Sequence, residues 1–252
     1  MTLPATIVGA VVTLTPTTVH NWTRCRRLYL LRNVLTLPQV DDTPWSDEGL
    51  KIHDLLRIVH EEGSCADRGL VGDVVDRYGG ADADRVRGFL DRHAARCPQG
   101  AVALGHEVDC VRFHREPMPK FLASARIDAA WVHDGTLDAR DYKTGSPWGD
   151  LADDVRARVQ AWVLAPLARE RGLTLRLRYE YLAPEAGDDP PPFDPDPETL
   201  DGIEEELRSI ADAMRAERAF AGVADAAICR TCPYRSICVD AQADLEGTAA
   251  GP

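Results

Sequence analysis

The sequence lacks the segments that mark a membrane protein or a P-loop ATPase. No apolar run approaches the roughly 20 residues that a membrane-spanning helix needs, so we expect no membrane partner. No Gly-x-x-x-x-Gly-Lys-(Ser/Thr) loop occurs, which excludes a P-loop nucleotide site. Gly-x-Gly-x-x-Gly, Gly-x-Ser-x-Gly and internal repeats are absent too.

A secretory signal is also not recognisable. Residues Ile7–Leu14 are apolar, but no basic segment precedes them and no cleavage-type site follows, so we interpret them as a β-strand. We therefore expect a cytoplasmic protein, a compartment in which structural disulfides are rare. The seven cysteines then need another explanation. Of these, Cys65, Cys97 and Cys110 have no partner at a useful spacing and are predicted to be ordinary thiols.

Net positive charge, the usual mark of a nucleic-acid binder, is missing as well. The formal net charge is −12, and an acidic chain is not the usual partner of a polyanion. The arginines nevertheless cluster, so a local basic channel can form on an acidic body. The clustered residues are Arg24, Arg26, Arg27, Arg32, Arg156, Arg158, Arg230 and Arg235.

The apolar periodicity predicts a helical first part followed by a sheet. With 252 residues, of which 44% are hydrophobic, the chain can bury the core of one large domain. The order strand, hairpin, helix, strand predicts an α/β fold with a mixed central sheet flanked by helices. The predicted helices are 15–33, one that begins near 46, 64–78, 82–97, 150–171 and 197–221. The predicted strands outside the hairpin are 101–115 and 173–182.

The stretch Ser124–Gly145 predicts a β-hairpin that concentrates charge at one end. Its Asp134-Gly135 suits a two-residue type I′ turn, because both central residues need positive φ. With that turn, Asp128 lies opposite Asp141, and Lys143 shares their face. Facing carboxylates repel each other, and a divalent cation relieves that repulsion. The hairpin alone suggests metal-assisted attack on a phosphodiester, or else solvated surface charges.

A second constellation is Cys229-x2-Cys232-x5-Cys238, three cysteines at short spacing. A fourth thiolate would complete a site with four cysteines, and Cys25 is a candidate far upstream. Zinc and iron–sulfur clusters both accept four cysteines. Buried free thiols are the remaining interpretation.

Four short motifs follow one another along the chain: Gly49-Leu-Lys-Ile-His53, Arg126-Ile127-Asp128, Asp141-Tyr142-Lys143-Thr144-Gly145, and Gln160. In this order they resemble the Gly-x-x-x-His, Gly-x-(Ile/Val)-Asp, Asp-Tyr-Lys-Thr-Gly and Gln-x-x-x-Tyr motifs of the RecB-like branch of the PD-(D/E)XK nuclease superfamily. The chain departs from the branch at Leu164, where the last motif has tyrosine, and at Ala125, where the second has glycine. The contact made by that tyrosine is therefore not carried over.

The resemblance implies a restriction-endonuclease-like core and a metal-dependent site. The catalytic residues would be Asp128, Asp141, Lys143 and Gln160. The ligands of Mg²⁺ or Mn²⁺ would be His53, Asp128, Asp141 and the Tyr142 carbonyl. Glu107, on the preceding strand, either faces this metal or is a solvated carboxylate. The candidates for contacts to the DNA backbone are Arg24, Arg26 and Arg27.

The cysteine pattern is similar to the iron–sulfur staple of AddB-type nucleases and of the CRISPR spacer-acquisition nuclease. This resemblance implies a [4Fe-4S] cluster with zinc as the alternative. The cluster ligands would be Cys25, Cys229, Cys232 and Cys238. Such a cluster would hold the first helix against the last segment of the chain.

The resemblance also sets the expected organisation and function. Residues 1–246 would form one nuclease domain, with a helical part (about 15–98), a nuclease core (about 101–183) and a C-terminal helix with the iron–sulfur segment (about 197–240). Residues 247–252 would be a flexible tail. The implied activity is hydrolysis of phosphodiester bonds, as an exonuclease on single-stranded DNA or DNA ends, in repair, recombination, CRISPR adaptation or phage defence. A helicase or an integrase is a candidate partner. The alternative is a non-catalytic module that binds DNA ends or a partner protein.

Overall fold

The computed structural model of the chain describes residues 11–40, 45–98, 101–114, 121–147, 149–223 and 225–241. Within them, a mixed five-stranded sheet is flanked by helices, which confirms the predicted fold class. The strands are β1 (Val12–Leu14), β2 (Val102–Phe113), β3 (Phe121–His133), β4 (Thr136–Lys143) and β5 (Thr174–Tyr181). The helices are α1 (Pro16–Arg24), α2 (Arg26–Tyr29), α3 (Trp45–Glu62), α4 (Arg68–Tyr78), α5 (Ala83–Ala94), α6 (Val155–Glu170), α7 (Pro197–Ala216) and α8 (Ala226–Arg230).

Strand β3 is the centre of the sheet. Strand β2 runs antiparallel along one edge of β3. On the opposite edge, β1 pairs in parallel with the start of β3, and β4 pairs antiparallel with its end. Strand β5 extends the sheet beyond β4 in parallel. This last pairing requires a crossover connection, which α6 provides.

Large apolar side chains from the sheet and the helices form the core. Phe121, Ile127 and Leu137 are fully buried in the sheet, as are Phe89 in α5 and Trp162 in α6. The ring centroids of Phe121 and Trp162 lie 5.2 Å apart, so α6 packs directly against β3. Burial of each such side chain contributes about 1.5–3 kcal/mol to folding.

The first predicted helix is interrupted. The sequence predicts one helix over 15–33, but the backbone is extended at Cys25, with φ −164° and ψ 119°. Helix α2 follows, and then a π-helical turn at Leu30–Val34. The residues on both sides of the break contact the C-terminal part of the chain. Arg24 donates to the Ile228 carbonyl, and Arg26 donates to the Glu217 carboxylate. Local periodicity could not show these distant contacts.

Three other helix boundaries lie inward of the predicted ones, and two of them coincide with side-chain caps. Helix α4 begins at residue 68 because the Asp67 carboxylate accepts the N–H groups of Gly69 and Leu70. Helix α6 begins at residue 155 because Asp154 accepts the N–H of Arg156. Helix α7 ends at residue 216, where Glu217 adopts an extended conformation.

Some predictions concern residues outside the described ranges. Of the strand predicted at 7–14, residues 12–14 are confirmed as β1, and residues 7–10 lie outside the described part. The tail predicted at 247–252 lies outside it as well. In the part of the chain that the structure describes, no helix combines the length and the apolar character needed to cross a membrane.

Candidate functional site

The hairpin of β3 and β4 has the predicted turn and register. Asp134 and Gly135 adopt positive φ values of 49° and 71°, as a type I′ turn requires. The ladder runs from the pair His133–Thr136 to the pair Ala129–Arg140. It ends one step before the position where Asp128 would pair with Asp141. The carboxylates of Asp128 and Asp141 therefore lie just past the end of the ladder, where backbone N–H groups have no partner on the opposite strand and can bind side chains.

The Asp128 carboxylate takes up one of these backbone groups and also contacts α3. Its Oδ2 accepts the Tyr142 N–H at 2.6 Å. Its Oδ1 lies 3.3 Å from Nδ1 of His53, and Nε2 of His53 lies 3.1 Å from the Tyr142 carbonyl oxygen. Burial lowers the pKa of His53, but the hydrogen bond and charge of Asp128 raise it, and the net shift is upward. The imidazole is thus held between two oxygen acceptors.

Glu107 on β2 completes this group. The pairs His106–Ala129 and Val108–Ile127 flank it, so Glu107 lies across the ladder from Asp128. Its φ of 53° is in the left-handed region, a conformation that costs a residue with a Cβ about 1–2 kcal/mol. His53, Glu107 and Asp128 each offer a ligand atom, and these atoms lie within 4.8 Å of one another. Of the two interpretations of Glu107, the structure favours the one that faces the site.

Asp141 and Lys143 form the second half of the site. The Lys143 ammonium forms an ion pair with Oδ2 of Asp141. The Gln160 amide, which is buried on α6, donates to Oδ1 of Asp141 at 3.3 Å. Leu164, at the position of the motif tyrosine, is fully buried in the core and so reaches no substrate.

Burial and a neighbouring cation shift the protonation of Lys143. Its ammonium lies 4.5 Å from the centre of the Tyr179 ring. Burial, and then the charge of Arg156, lower the pKa of Lys143 from 10.5 to about 8. The Arg156 guanidinium is itself paired with Asp154 at 2.8 Å. A lysine and an arginine thus lie beside Asp141, each paired with a carboxylate.

These groups border an open groove of about 710 Å³. The start of α1, strand β2 and strand β3 supply its other walls. Its lining includes Thr15, Asp109, Arg126, Asp141, Lys143, Arg156, Gln160 and Tyr179.

The donor set fits a hard divalent cation. Carboxylate oxygens are the ligands that Mg²⁺ takes, and a site with one imidazole also suits Mn²⁺. His53, Glu107 and Asp128 supply these donors. In addition, Oδ2 of Asp141 is buried and accepts no hydrogen bond beyond its ion pair with Lys143. The Tyr142 carbonyl, predicted as a ligand, instead faces His53 here.

The four cysteines of the predicted cluster line one cavity between α2 and the C-terminal segment: Cys25, Cys229, Cys232 and Cys238. Burial raises the pKa of the Cys232 thiol, and the nearby Cys25 and Cys238 raise it further. The thiols therefore lie near one another. Among the described residues, the groups of three ligands that converge within 4.8 Å are His53–Glu107–Asp128 and His60–Cys65–His93, and these four cysteines are in neither.

The three arginines predicted to contact DNA each have a partner within the chain. Arg24 donates to the Ile228 carbonyl at 3.2 Å. Arg26 pairs with Glu217 at 2.7 Å, and Arg27 pairs with Asp240 at 3.1 Å. All three side chains connect the first helices to the C-terminal segment.

The prediction that Cys65 and Cys97 have no partner was wrong. The structure joins them in a disulfide with their Cα atoms 6.2 Å apart. The two residues are 32 positions apart in sequence, and they meet because the helical hairpin α4–α5 folds back onto α3. No local spacing signals this pairing, because it depends on how α4 and α5 pack against α3.

Comparison with known proteins agrees with the fold. The family model of the PD-(D/E)XK nuclease superfamily matches residues 13–239, which include strands β2 to β5 and every candidate ligand named above. The chain is also similar to a solved structure described as "Crystal structure of SSO0001", with 11% sequence identity and a TM-score of 0.44, over 92% of this chain and 89% of that one. No curated protein matches the chain.

Proposed function

Since the chain belongs to the PD-(D/E)XK nuclease superfamily, we propose that it is a metal-dependent deoxyribonuclease of the RecB-like branch. Its reaction is the hydrolysis of phosphodiester bonds in single-stranded DNA or at DNA ends, as an exonuclease. We also propose that residues 1–246 work as one nuclease domain. The pathway we assign is DNA repair and recombination, CRISPR adaptation or phage defence, with a helicase or an integrase as partner.

One observation supports this proposal most strongly. An imidazole and two carboxylates, from His53, Glu107 and Asp128, converge within 4.8 Å at the end of the hairpin ladder. The pair Asp141–Lys143 lies directly beside them on β4. Of these residues, Asp141 and Lys143 line the open groove.

The division of labour follows from the contacts. A Mg²⁺ or Mn²⁺ ion held by His53, Glu107, Asp128 and Asp141 would lower the pKa of a bound water and polarise a phosphodiester oxygen. Lys143 supplies a positive charge where the pentacovalent phosphate accumulates negative charge. Gln160 fixes the Asp141 carboxylate through its amide. Arg126 and Arg156, which line the groove, are further candidates for contacts to DNA phosphates beside Arg24, Arg26 and Arg27.

The proposal is tested by a cleavage assay on single-stranded DNA with Mg²⁺ or Mn²⁺, and with EDTA as the metal-free control. We expect Asp128→Asn and Lys143→Ala to lower the rate at least about 100-fold. Asp134→Asn is the matched control, because it makes the same change at the exposed turn of the same hairpin, where asparagine is well tolerated. Wild-type protein without EDTA-sensitive cleavage would contradict the proposal, and so would an active Asp128→Asn variant.

For the C-terminal cysteines we propose a [4Fe-4S] cluster of the AddB type rather than zinc. A single zinc ion with Zn–S bonds of about 2.3 Å holds its sulfurs about 3.8 Å apart. The thiols of Cys25, Cys229, Cys232 and Cys238 share one cavity without such a tight convergence. A wider cluster suits this arrangement better. Its position would fasten α1 and α2 to the C-terminal segment.

The cluster is tested on protein purified without oxygen. We expect brown protein with broad visible absorption and about four iron and four sulfide per chain. Colourless protein with one zinc ion at these cysteines would favour the zinc alternative. Cys232→Ser should remove the colour, whereas Cys110→Ser, which lies outside the cavity, should keep it.

A second candidate function is a non-catalytic module that binds DNA ends or a partner protein. The acidic net charge of −12 and the buried Leu164 favour it. This alternative predicts DNA binding by the wild type that EDTA leaves unchanged, without any cleavage. The cleavage assay and a binding titration on the same samples therefore distinguish the two functions.

A further inference from the structure

A second group of metal-binding side chains lies at the far end of α3 from His53, and the nuclease chemistry does not use it. We define the histidine–cysteine cluster as His60, Cys65, His93 and Cys97. Ligand atoms of the first three lie within 4.8 Å of one another. The sulfur of Cys97 is bonded to that of Cys65. Two imidazole nitrogens and one sulfur therefore converge, and a second sulfur is bonded to the first.

The positions of these residues along the chain suit one ion. His60 and Cys65 lie at the end of α3 and in the turn after it, and His93 and Cys97 lie at the end of α5 and just beyond. The spacings are His-x4-Cys and His-x3-Cys. Structural zinc sites commonly take their ligands as two local pairs with spacers of about two to five residues. Each helix end contributes one such pair.

A buried carboxylate orients the His93 ring. Nδ1 of His93 lies 2.8 Å from Oε1 of Glu180, and the exposures of the two side chains are 1% and 3%. Arg140 holds the other carboxylate oxygen at 3.0 Å. Because a carboxylate only accepts, Nδ1 of His93 donates to Glu180, and Nε2 faces away from it toward His60. This carboxylate–histidine arrangement recurs behind zinc ligands.

The second imidazole is also set for coordination. Nε2 of His60 faces Nε2 of His93 at 2.9 Å. The His106 ring stacks on His60 with centroids 4.1 Å apart and fixes its plane.

We propose that the histidine–cysteine cluster of the reduced chain binds one Zn²⁺ ion through His60, Cys65, His93 and Cys97. Two thiol protons leave as four metal–ligand bonds form, and no atom changes its oxidation state. A set of two sulfurs and two nitrogens is a tetrahedral donor set that suits zinc. The disulfide and the zinc site use the same two sulfurs and are therefore mutually exclusive.

The role of this ion is structural. Occupation of the site ties the end of α3 to the end of α5 and, through Glu180, to β5. Helix α3 also carries His53, so the ion would hold the helix that supplies a ligand to the candidate nuclease site. The site lies beside a surface opening lined by Cys65, Cys97 and His106, which gives the ion an entry path. Zinc binding here does not depend on whether the protein cleaves DNA.

The first test uses the full wild-type chain, purified with a phosphine reductant, incubated with Zn²⁺ and freed of excess metal. Elemental analysis should give one zinc ion bound outside the C-terminal cysteines. Alkylation followed by peptide mass spectrometry should find Cys65 and Cys97 protected until a chelator is added, while Cys110 reacts at the same rate in both states. The proposal would be overturned if Cys65 and Cys97 were alkylated as fast as Cys110 in the presence of zinc. A Cys65–Cys97 disulfide that persists in the reductant would overturn it as well.

The second test compares variants by zinc content. Cys65→Ser and His93→Gln should each remove one equivalent of zinc, whereas Cys110→Ser should retain it. Should these variants fail to fold, Co²⁺ titrated into the metal-free Cys232→Ser chain, whose C-terminal cysteine set is incomplete, provides the same information, because tetrahedral thiolate ligation gives intense visible bands. Equal zinc in Cys65→Ser and Cys110→Ser, or a Co²⁺ spectrum without thiolate bands, would contradict the assignment.

Discussion

The two histidines of α3, two helical turns apart, have opposite surroundings. His53 faces the carboxylates of Glu107 and Asp128, and the Asp128 contact raises its pKa against the effect of burial. His60 faces a sulfur and another imidazole, from Cys65 and His93, and burial lowers its pKa to about 2. One residue type on one helix thus lies among hard oxygen donors near the middle of α3 and beside a sulfur and an imidazole near its end.

The difference teaches that neighbouring elements, and not the helix, select the chemistry. Around His53, the ladder between β3 and β4 ends, so backbone N–H and C=O groups lack ladder partners there. Acidic residues of β2, β3 and β4 occupy these positions. At the His60 end, α4 and α5 fold back and bring cysteines to the helix terminus. The following predictions test this contrast, from the largest expected effect to the smallest.

The contrast predicts that His53→Ala removes activity but not zinc. The loss of a metal ligand should lower the rate of DNA cleavage about 100-fold or more. The zinc content and the thermal midpoint should stay close to those of the wild type, because the histidine–cysteine cluster is intact. A cleavage assay and elemental analysis on one preparation check both statements. Unchanged cleavage would remove His53 from the candidate site.

The reverse pattern is expected for His60→Ala. This variant should lose one zinc ion, and its thermal midpoint should fall by roughly 5–10 °C, as for a loss of about 2–3 kcal/mol in a chain of this size. Cleavage at saturating Mg²⁺ should fall less than tenfold at a temperature where the variant is folded. Comparison of the melting curves with and without added zinc gives the measurement. A variant that melts like the wild type at every zinc level would show that the two ends of α3 do not differ in this way.

Glu217, which lies far from α3, should make the stability of the fold depend on pH. Its effect on the free energy of unfolding serves as a reference that involves neither His53 nor His60. Glu217 accepts the N–H groups of residues 218–220 and pairs with Arg26. The Phe220 N–H, and then Arg26, lower the pKa of Glu217 from 4.5 to about 2. A lowered carboxylate pKa stabilises the fold above the unfolded value, and this stability is lost as the pH falls from 4.5 toward 2.

The variant Glu217→Gln tests this pH dependence of the unfolding free energy. At pH 7 we expect it to lose about 1 kcal/mol of unfolding free energy, because an ionised acceptor of backbone N–H groups is replaced by a neutral one. The difference from the wild type should shrink below pH 4.5 in urea titrations at several pH values. A difference that stays constant down to pH 3 would contradict the ionic origin of the effect. Glu205→Gln, on the exposed part of α7, is the control.

The smallest effect on activity, zinc content and stability is expected for a substitution at Arg57, which lies between His53 and His60 on α3. Arg57 lies on α3 and pairs with Glu61 at 2.8 Å on the solvent side. Exposed pairs of this kind add little, because solvent screens them. Arg57→Ala should therefore leave cleavage, zinc content and the urea midpoint unchanged within error. A clear change in either site would mean that α3 transmits changes along its whole length.

The hairpin shows how far sequence reasoning reached. The turn Asp134-Gly135 and the pairing of β3 with β4 were predicted from local preferences and confirmed. Register follows from a two-residue turn, which only a few residue types can form. The fold class was predicted for a related reason, because the order of strands and helices restricts the topologies available.

Other features depended on contacts that sequence spacing does not contain. The break at Cys25 and the engagement of Arg24 and Arg26 arise where the first helices meet a segment about two hundred residues later. Glu107 was left open because a strand carboxylate points in or out according to a backbone bend, here a positive φ. The pairing of Cys65 with Cys97 was missed because α4 had to fold back between them.

The sequence by itself determined the elements and the catalytic motif order, because turn geometry, helix caps and apolar period act over a few residues. Only the tertiary structure decided which of these residues meet. It placed Glu107 against Asp128 and His60 against His93, since such encounters depend on how helices pack on a sheet and not on any local preference. The surroundings of His53 and of His60 on α3 are therefore a property of the packed chain.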